Sequence, residues 1–372
     1  MSEVASIIEG ARAELRSHGD RDVTDVVDRQ LHRIAPLADP SRLASLRRAA
    51  LAELNGLGPL DRWLDDPEID EIMVNAGRDV WIDRDGSTEL VDRLADGQLA
   101  TIVERIVAPL GLRLDRTNPI VDARLPDGSR LCAVIPPITP DGPCCSIRRF
   151  RSHPFSIESF AAPAVAELLR ELVRARCNLV VAGATSSGKT SLLNALAGEI
   201  GRGERLVTIE DTAELRLGAE HVVRLEARPG TAEGLPPVEV RALVRAALRL
   251  RPDRLVVGEV RGAEALDMVQ ALNTGHDGSL TTCHANGPAD TLRRLEAMVL
   301  MGAPSWPPAT AREQVRGSID VVVHVARTAS GSRRVVAVAE LSEPGQTLAG
   351  DDALRMLVDG EVLVGRLRRG RR

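Results

Sequence analysis

Leu179-Val180-Val181-Ala182-Gly183-Ala184-Thr185-Ser186-Ser187-Gly188-Lys189-Thr190-Ser191 decides the fold. A short apolar run enters a turn bounded by two glycines, and a stretch of helical composition, Ser191 to Ala197, leaves it. Gly183 and Gly188-Lys189-Thr190 have the spacing of a phosphate-binding loop. In that geometry the N–H groups of Thr185 to Thr190 point at a phosphate, reinforced by the helix dipole. Lys189 then reaches the outer phosphates, and the Thr190 hydroxyl is a ligand for Mg²⁺. Gly183, Ala184, Thr185, Ser186, Ser187, Gly188, Lys189, Thr190 and Ser191 are therefore the candidate binding residues. Among 48 lysines and arginines, Lys189 is the one lysine. A compact ammonium fits a tight phosphate cradle where a planar guanidinium does not.

The surrounding pattern is helix, strand, helix, strand. Ala164 to Arg176 reads as a helix, and apolar runs follow at Leu179–Ala182, Leu206–Ile209, Leu255–Val257 and Ser279–Cys283. Helices are expected at Thr190–Gly198, Val238–Leu250, Ala263–Asn273 and Pro288–Met301. Short buried strands alternating with helices imply an α/β fold, a parallel sheet covered on both faces. Ligands on such sheets sit at the carboxyl ends of the strands.

Upstream the texture differs. Residues 1–55 read as a charge-rich helical segment, with Asp39-Pro40 as a helix start, Leu43, Leu46, Ala50 and Leu54 on one face, and Gly56 as a stop. That face requires a partner, from this chain or another. Residues 57–150 read as a small α+β domain, with strands at Ile69–Val74 and Val80–Asp83, a helix at Thr101–Leu110, and turns at Asp85-Gly86 and Asp127-Gly128. Residues 151–163, with two prolines, read as a linker, 164–345 as the phosphate-binding domain with a strand at Arg334–Ala339, and 346–372 as a tail. The tail ends in a basic cluster, Arg366, Arg368, Arg369, Arg371 and Arg372, expected to be solvated.

Composition narrows the functions. With 372 residues and 44% hydrophobic content, one to three domains with sizeable cores are expected. Phe 3, Trp 3 and Tyr 0 leave those cores to Leu, Val, Ile and Ala. A net charge of -5 and scarce aromatics argue against a nucleic-acid partner. The five cysteines show no CxxC spacing, so no zinc site is expected, and their odd number suits a reducing compartment. Met1 to Gly10 lacks the basic start of a signal peptide, and no apolar run reaches the ~20 residues of a membrane span. The expectation is a cytoplasmic protein, peripheral at the membrane.

Three further elements carry chemistry. Val207-Thr208-Ile209-Glu210-Asp211-Thr212-Ala213-Glu214 brings three carboxylates to the end of a strand, where they orient water or bind Mg²⁺ through water. Leu255-Val256-Val257-Gly258-Glu259 is a Walker B arrangement with Glu in place of the usual Asp, and Glu259 is a metal candidate through water. Ser279-Leu280-Thr281-Thr282-Cys283-His284 sets His284 at the same expected edge, placed to bond a γ-phosphate.

This ordered set resembles the secretion ATPase superfamily, the motors of type II secretion, type IV pili and type IV secretion, with its Walker A, Asp box, Walker B and His box. Ala123-Arg124-Leu125-Pro126-Asp127-Gly128-Ser129-Arg130, Ser146-Ile147-Arg148-Arg149-Phe150 and Asn273-Thr274-Gly275-His276-Asp277-Gly278 are most similar to the CpaF-like, tight-adherence (Flp) pilus ATPases. The resemblance spans roughly 57–345. Cys144-Cys145 departs from the small or aliphatic residues usual there and is read as packing. The resemblance implies a RecA-like domain, ATP and Mg²⁺ as ligands, a hexameric ring, and an inner-membrane platform protein as partner. It also implies that Arg130, Arg148 and Arg251 contribute to the nucleotide site, and that the catalytic glutamate is Glu214, with Glu210 as second choice. The alternatives are a type IV secretion ATPase moving protein or DNA, a RecA-type nucleic-acid motor, and a scaffold that binds nucleotide without hydrolysis.

Overall fold

Three helices open the chain: α1 (Glu3–Ser17), α2 (Val23–Ile34) and α3 (Pro40–Asn55). A computed structural model describes residues 3–17, 22–84, 86–125, 127–149, 155–230, 234–328, 331–341, 354–360 and 362–365. The chain divides into two units, residues 1–151 with 231–233, and residues 152–230 with 234–372. The linker expected at 151–163 and the basic cluster at 366–372 fall wholly or partly outside the described residues.

Asp22 and Asp39 start α2 and α3 by accepting first-turn amides, Thr24 N at 2.7 Å and Ser41 and Arg42 N at 3.0 Å. Leu46 and Ala50 of α3 bury against Ile7 and Ala11 of α1 and Val26, Val27 and Leu31 of α2, with Leu43 and Leu54 at the margin. The apolar face of α3 is thus covered by this chain's own first two helices. Gly56 ends α3 at φ -96, so its role is space rather than handedness. A Cβ there would run into the Asp61 carboxylate and sit 3.0 Å from Ala52 Cα.

A short helix, α4 (Asp61–Leu64), leads to six strands: β1 (Glu71–Asn75), β2 (Asp79–Arg84), β3 (Ser87–Arg93), β4 (Ile120–Arg124), β5 (Arg130–Val134) and β6 (Cys144–Arg148). They form an antiparallel sheet in the order β3-β2-β1-β6-β5-β4. Helix α5 (Gln98–Val107) packs with its inner face, where Ile72, Val74, Val80, Ile82, Leu131 and Ile147 are buried. Cys145 is buried in this core, in line with a packing role.

The second unit begins with α6 (Pro163–Arg174), β7 (Leu179–Gly183), α7 (Lys189–Ala197), β8 (Leu206–Glu210), β9 (Val222–Glu226) and α8 (Val240–Ala247). It continues with β10 (Arg254–Val260), α9 (Glu264–Asn273), β11 (Leu280–His284), α10 (Pro288–Gly302), α11 (Pro308–Ser318), β12 (Val321–Arg327), β13 (Arg333–Leu341), β14 (Leu354–Asp359) and β15 (Val362–Leu363). The sheet order is β15-β14-β13-β12-β7-β11-β10-β8-β9. The run from β12 to β9 is parallel, and β13 to β15 are antiparallel additions. Leu354–Asp359 and Val362–Leu363, expected within a tail, are strands. Leu357 and Val358 are fully buried, which removes them from water and extends the sheet.

Alternation sorts the core into two layers. Leu179 and Val181 face α6 and α7, while Val180 and Ala182 face α8 to α11. On the second face Asp267 of α9, nearly buried, accepts Arg241 Nε and Arg245 Nε of α8, both at 2.6 Å. At the amino ends of the strands buried Asn178 accepts the Gly278 and Ser279 amides at 2.8 and 3.1 Å. These bonds hold β7 and β11 in register, which places Gly183 directly beside His284.

Candidate functional site

The central strand β7 is followed by the glycine turn and α7. Ser186 and Gly188 take positive φ, 59 and 96. Such a path costs a non-glycine residue about 1–2 kcal/mol. At Gly188 space adds to the constraint: a Cβ would lie 2.8 Å from Arg333 Cδ and 3.1 Å from Phe160 Cε1. No side chain caps α7 at Gly188, where a helix start otherwise draws an acceptor to its first amides. Ser187 Oγ is buried with no hydrogen-bond partner. Lys189 is 8% exposed, and its ammonium donates to Ala184 O at 2.9 Å, across the loop that it closes. A positive-φ turn with no room for a Cβ, an orphaned buried hydroxyl and a buried ammonium fit a phosphate chain.

The carboxyl ends of neighbouring strands supply the rest. His284 ends β11. Burial and then the Lys189 charge hold its imidazole pKa below the ordinary value, while Glu259 pulls the other way. Glu259, near the end of β10, accepts Arg261 Nε at 2.8 Å. Burial would lower the Arg261 pKa, but its bond to Glu259 and the charges of Asp211 and Glu214 raise it. Thr282 Oγ1 donates to Gly258 O at 2.7 Å and stitches β11 to β10.

Glu210 ends β8 at 3% exposure. Its Oε1 accepts Glu214 N at 2.8 Å and Leu215 N at 2.9 Å, while Oε2 is buried without a partner. Burial pushes this carboxyl up to about 7, against the pull of those two amides and with help from the Glu214 and Glu226 charges. Glu214 itself is only half-buried, on the irregular loop after β8.

The structure thus brings Lys189, Glu214, Glu259, His284 and the loop to one edge of one sheet, with Arg261 acting on Glu259, Glu214 and His284. It does not bring Arg251 there. Arg251 precedes β10 and lies at the amino edge, a strand length of roughly 20 Å from the loop. Arg130 and Arg148 sit abreast on β5 and β6 of the first unit. Sequence reasoning missed Asn194, Glu226, Arg261 and Arg333. Glu226 closes an apolar strand with an acid, as Glu210 does, and was findable by that pattern. Asn194 carries no such signal.

Mg²⁺ fits the donor set in a limited way. Half-buried Thr190 and the Glu259 carboxylate would hold it. Among the described residues no group of three or more His, Cys, Asp or Glu is placed to hold a metal. The remaining ligands would be phosphate oxygens and water, the usual arrangement for this ion.

The parallel sheet, the glycine turn and the acid-lined strand ends define a P-loop domain of RecA-like fold. The type II/IV secretion system protein family matches residues 53–360, and the chain belongs to that family. A Mycobacterium tuberculosis protein bearing a conjugal-transfer name is 39% identical over 320 residues, 82% of this chain and 90% of the relative. The type IV secretion system protein VirB11 of Brucella suis is 33% identical over 316 residues, 76% of this chain and 87% of its own. The solved ATPase DotB of Legionella pneumophila shares the fold, with TM-score 0.55 at 19% identity over 77% of this chain and 80% of DotB. Among the described residues no helix is long and apolar enough to cross a membrane.

Proposed function

We propose that this protein is an ATP-hydrolysing motor that drives assembly of a tight-adherence or type IV-like pilus, or of a type II secretion pseudopilus. It works as a hexameric ring in the cytoplasm, against an inner-membrane platform protein. The observation that carries the ATPase reading is the loop 183–190 with its buried Lys189, set beside Glu259 and His284. Lys189 neutralises the outer phosphates, and Mg²⁺, when bound, shares that charge. Glu214, half-buried, orients the attacking water, whereas both oxygens of Glu210 are enclosed. Glu259 holds the ion's water shell. His284, kept neutral near pH 7, donates or accepts at the γ-phosphate without adding a fixed charge. Arginines placed like Arg130, Arg148 and Arg251, remote in sequence from the loop, complete the site in a ring. Added cations of this kind are worth about 10³ to 10⁵ in rate.

The names of the relatives favour a second reading on cargo, a type IV secretion ATPase moving protein or DNA. Disruption of the gene distinguishes the two: loss of surface pili supports the first, loss of substrate or plasmid transfer the second. For the chemistry, the test is phosphate release by purified protein and its Lys189→Ala variant. The expected result is turnover in the wild type and none above background in the variant. Equal turnover in both refutes the mechanism. Particle mass with and without a non-hydrolysable ATP analogue tests the ring.

A further inference from the structure

The loop that carries Glu214 lies in no helix or strand from residue 211 to 221. Its position is nonetheless specified. Four successive amides donate to side-chain oxygens that come from three different elements. Ala213 N reaches Glu226 Oε1 of β9 at 3.0 Å. Glu214 N and Leu215 N reach Glu210 Oε1 of β8 at 2.8 and 2.9 Å. Arg216 N reaches Asn194 Oδ1 of α7 at 2.8 Å. Leu215 and Leu217, 1% and 5% exposed, anchor the same segment in the core shared with α6 and α7. Strand pairing sets two of the three acceptors abreast, because Glu210 and Glu226 are register partners. The third stands on the helix that begins with Lys189.

We infer that Asn194, Glu210 and Glu226 form a positioning clamp that fixes Glu214 and, through Asn194, ties its loop to the phosphate-binding helix. This rests on the reading of Glu214 as the residue that orients water. The clamp acts through backbone amides, so it sets where the Glu214 side chain starts. It makes no use of that carboxylate. Glu210 suits this role better than a catalytic one. One oxygen, Oε1, is committed to two amides, and the other, Oε2, is enclosed away from solvent without a partner. A displacement of ~1 Å in a group that must meet a reacting atom costs ~10²-fold in rate. Substrate affinity, set by the loop 183–190, is left unchanged.

The clamp separates side-chain acceptors from side-chain charge. Glu210→Gln and Asn194→Asp keep an acceptor oxygen, whereas Glu210→Ala and Asn194→Ala remove it. In full-length protein kcat is expected to fall ~10²-fold in each alanine variant, with binding of a non-hydrolysable ATP analogue unchanged. The Gln and Asp variants are expected to stay within ~3-fold of wild type by the same reasoning. An alanine variant that hydrolyses ATP like the wild type overturns the inference. So does a Glu210→Gln variant as damaged as Glu210→Ala, which would make Glu210 the group that handles water. Amide hydrogen exchange on the wild type tests the clamp without mutation or turnover. The amides of residues 213–216 are expected to exchange more slowly than those of Gly218 and Ala219 in the same loop. Equal rates refute the clamp. If the wild type binds no nucleotide, the motor reading fails, while the exchange result still stands or falls alone.

Discussion

Replacing Glu210 with glutamine removes a buried titrating group and leaves its shape. The magnitude follows from linkage. Burial, which penalises the ionised form, pushes the folded carboxyl up to about 7 from its ordinary 4.5. A raised folded pKa means that the native state holds the proton more tightly than the unfolded chain. The stabilisation is therefore complete below the unfolded pKa near 4.5 and is lost as pH rises through the folded value. At 1.36 kcal/mol per unit the loss is about 3 kcal/mol. Glutamine does not titrate, so the quantity to measure is the wild-type stability minus that of Glu210→Gln. Urea unfolding from pH 4 to pH 8, followed by a probe in the second unit, gives that difference at each pH. It is expected to move by about 3 kcal/mol against the wild type, mostly between pH 5 and pH 7. Titrating groups other than Glu214 and Glu226, whose charges act on Glu210, cancel in the subtraction. A flat difference would show that Glu210 ionises in the folded protein as freely as in the unfolded chain, and the account of an enclosed, unpartnered Oε2 would be wrong.

Other outcomes follow from the same geometry. Glu214→Gln is expected to retain binding of a fluorescent ATP analogue while phosphate release drops by at least ~10²-fold, the scale of a lost acid–base group. Gly188→Ala forces a side chain onto φ 96 and toward Arg333, so calorimetry is expected to show destabilisation of about 1–2 kcal/mol or more, with weaker nucleotide binding. His284 is expected to titrate below 6.5 in a histidine-resolved NMR experiment, because burial and Lys189 both oppose the imidazolium.

The central sheet was legible because its strands are short, apolar and separated by helices, and because a glycine turn of fixed spacing marks the middle one. Glu210, Glu259 and His284 could be read because each closes such a strand. The first unit was harder. Strand β3 is exposed and polar along most of its length, with the burial of an edge, so no apolar alternation announces it. Strands β14 and β15 follow a long polar stretch, and their place is set by pairing with β13 rather than by local propensity. The clamp around Glu214 could not be read at all. Arg216 and Asn194 are 22 residues apart, and only the fold brings an asparagine on one helix to an amide on the next loop. Gly56 was legible as the stop of α3, but not the reason for it: crowding by Asp61, which only the fold brings there, leaves no room for a Cβ.

With one lysine in 372 residues, and that one 8% exposed, the chain presents a single side-chain target to amine-acylating reagents. The nucleotide loop can thus be footprinted by mass spectrometry with no engineering. Occupancy by a triphosphate would register as protection, with Lys189 left unacylated and still cleavable by trypsin, in purified protein or in whole cells. The arginines around it are silent to the same reagent.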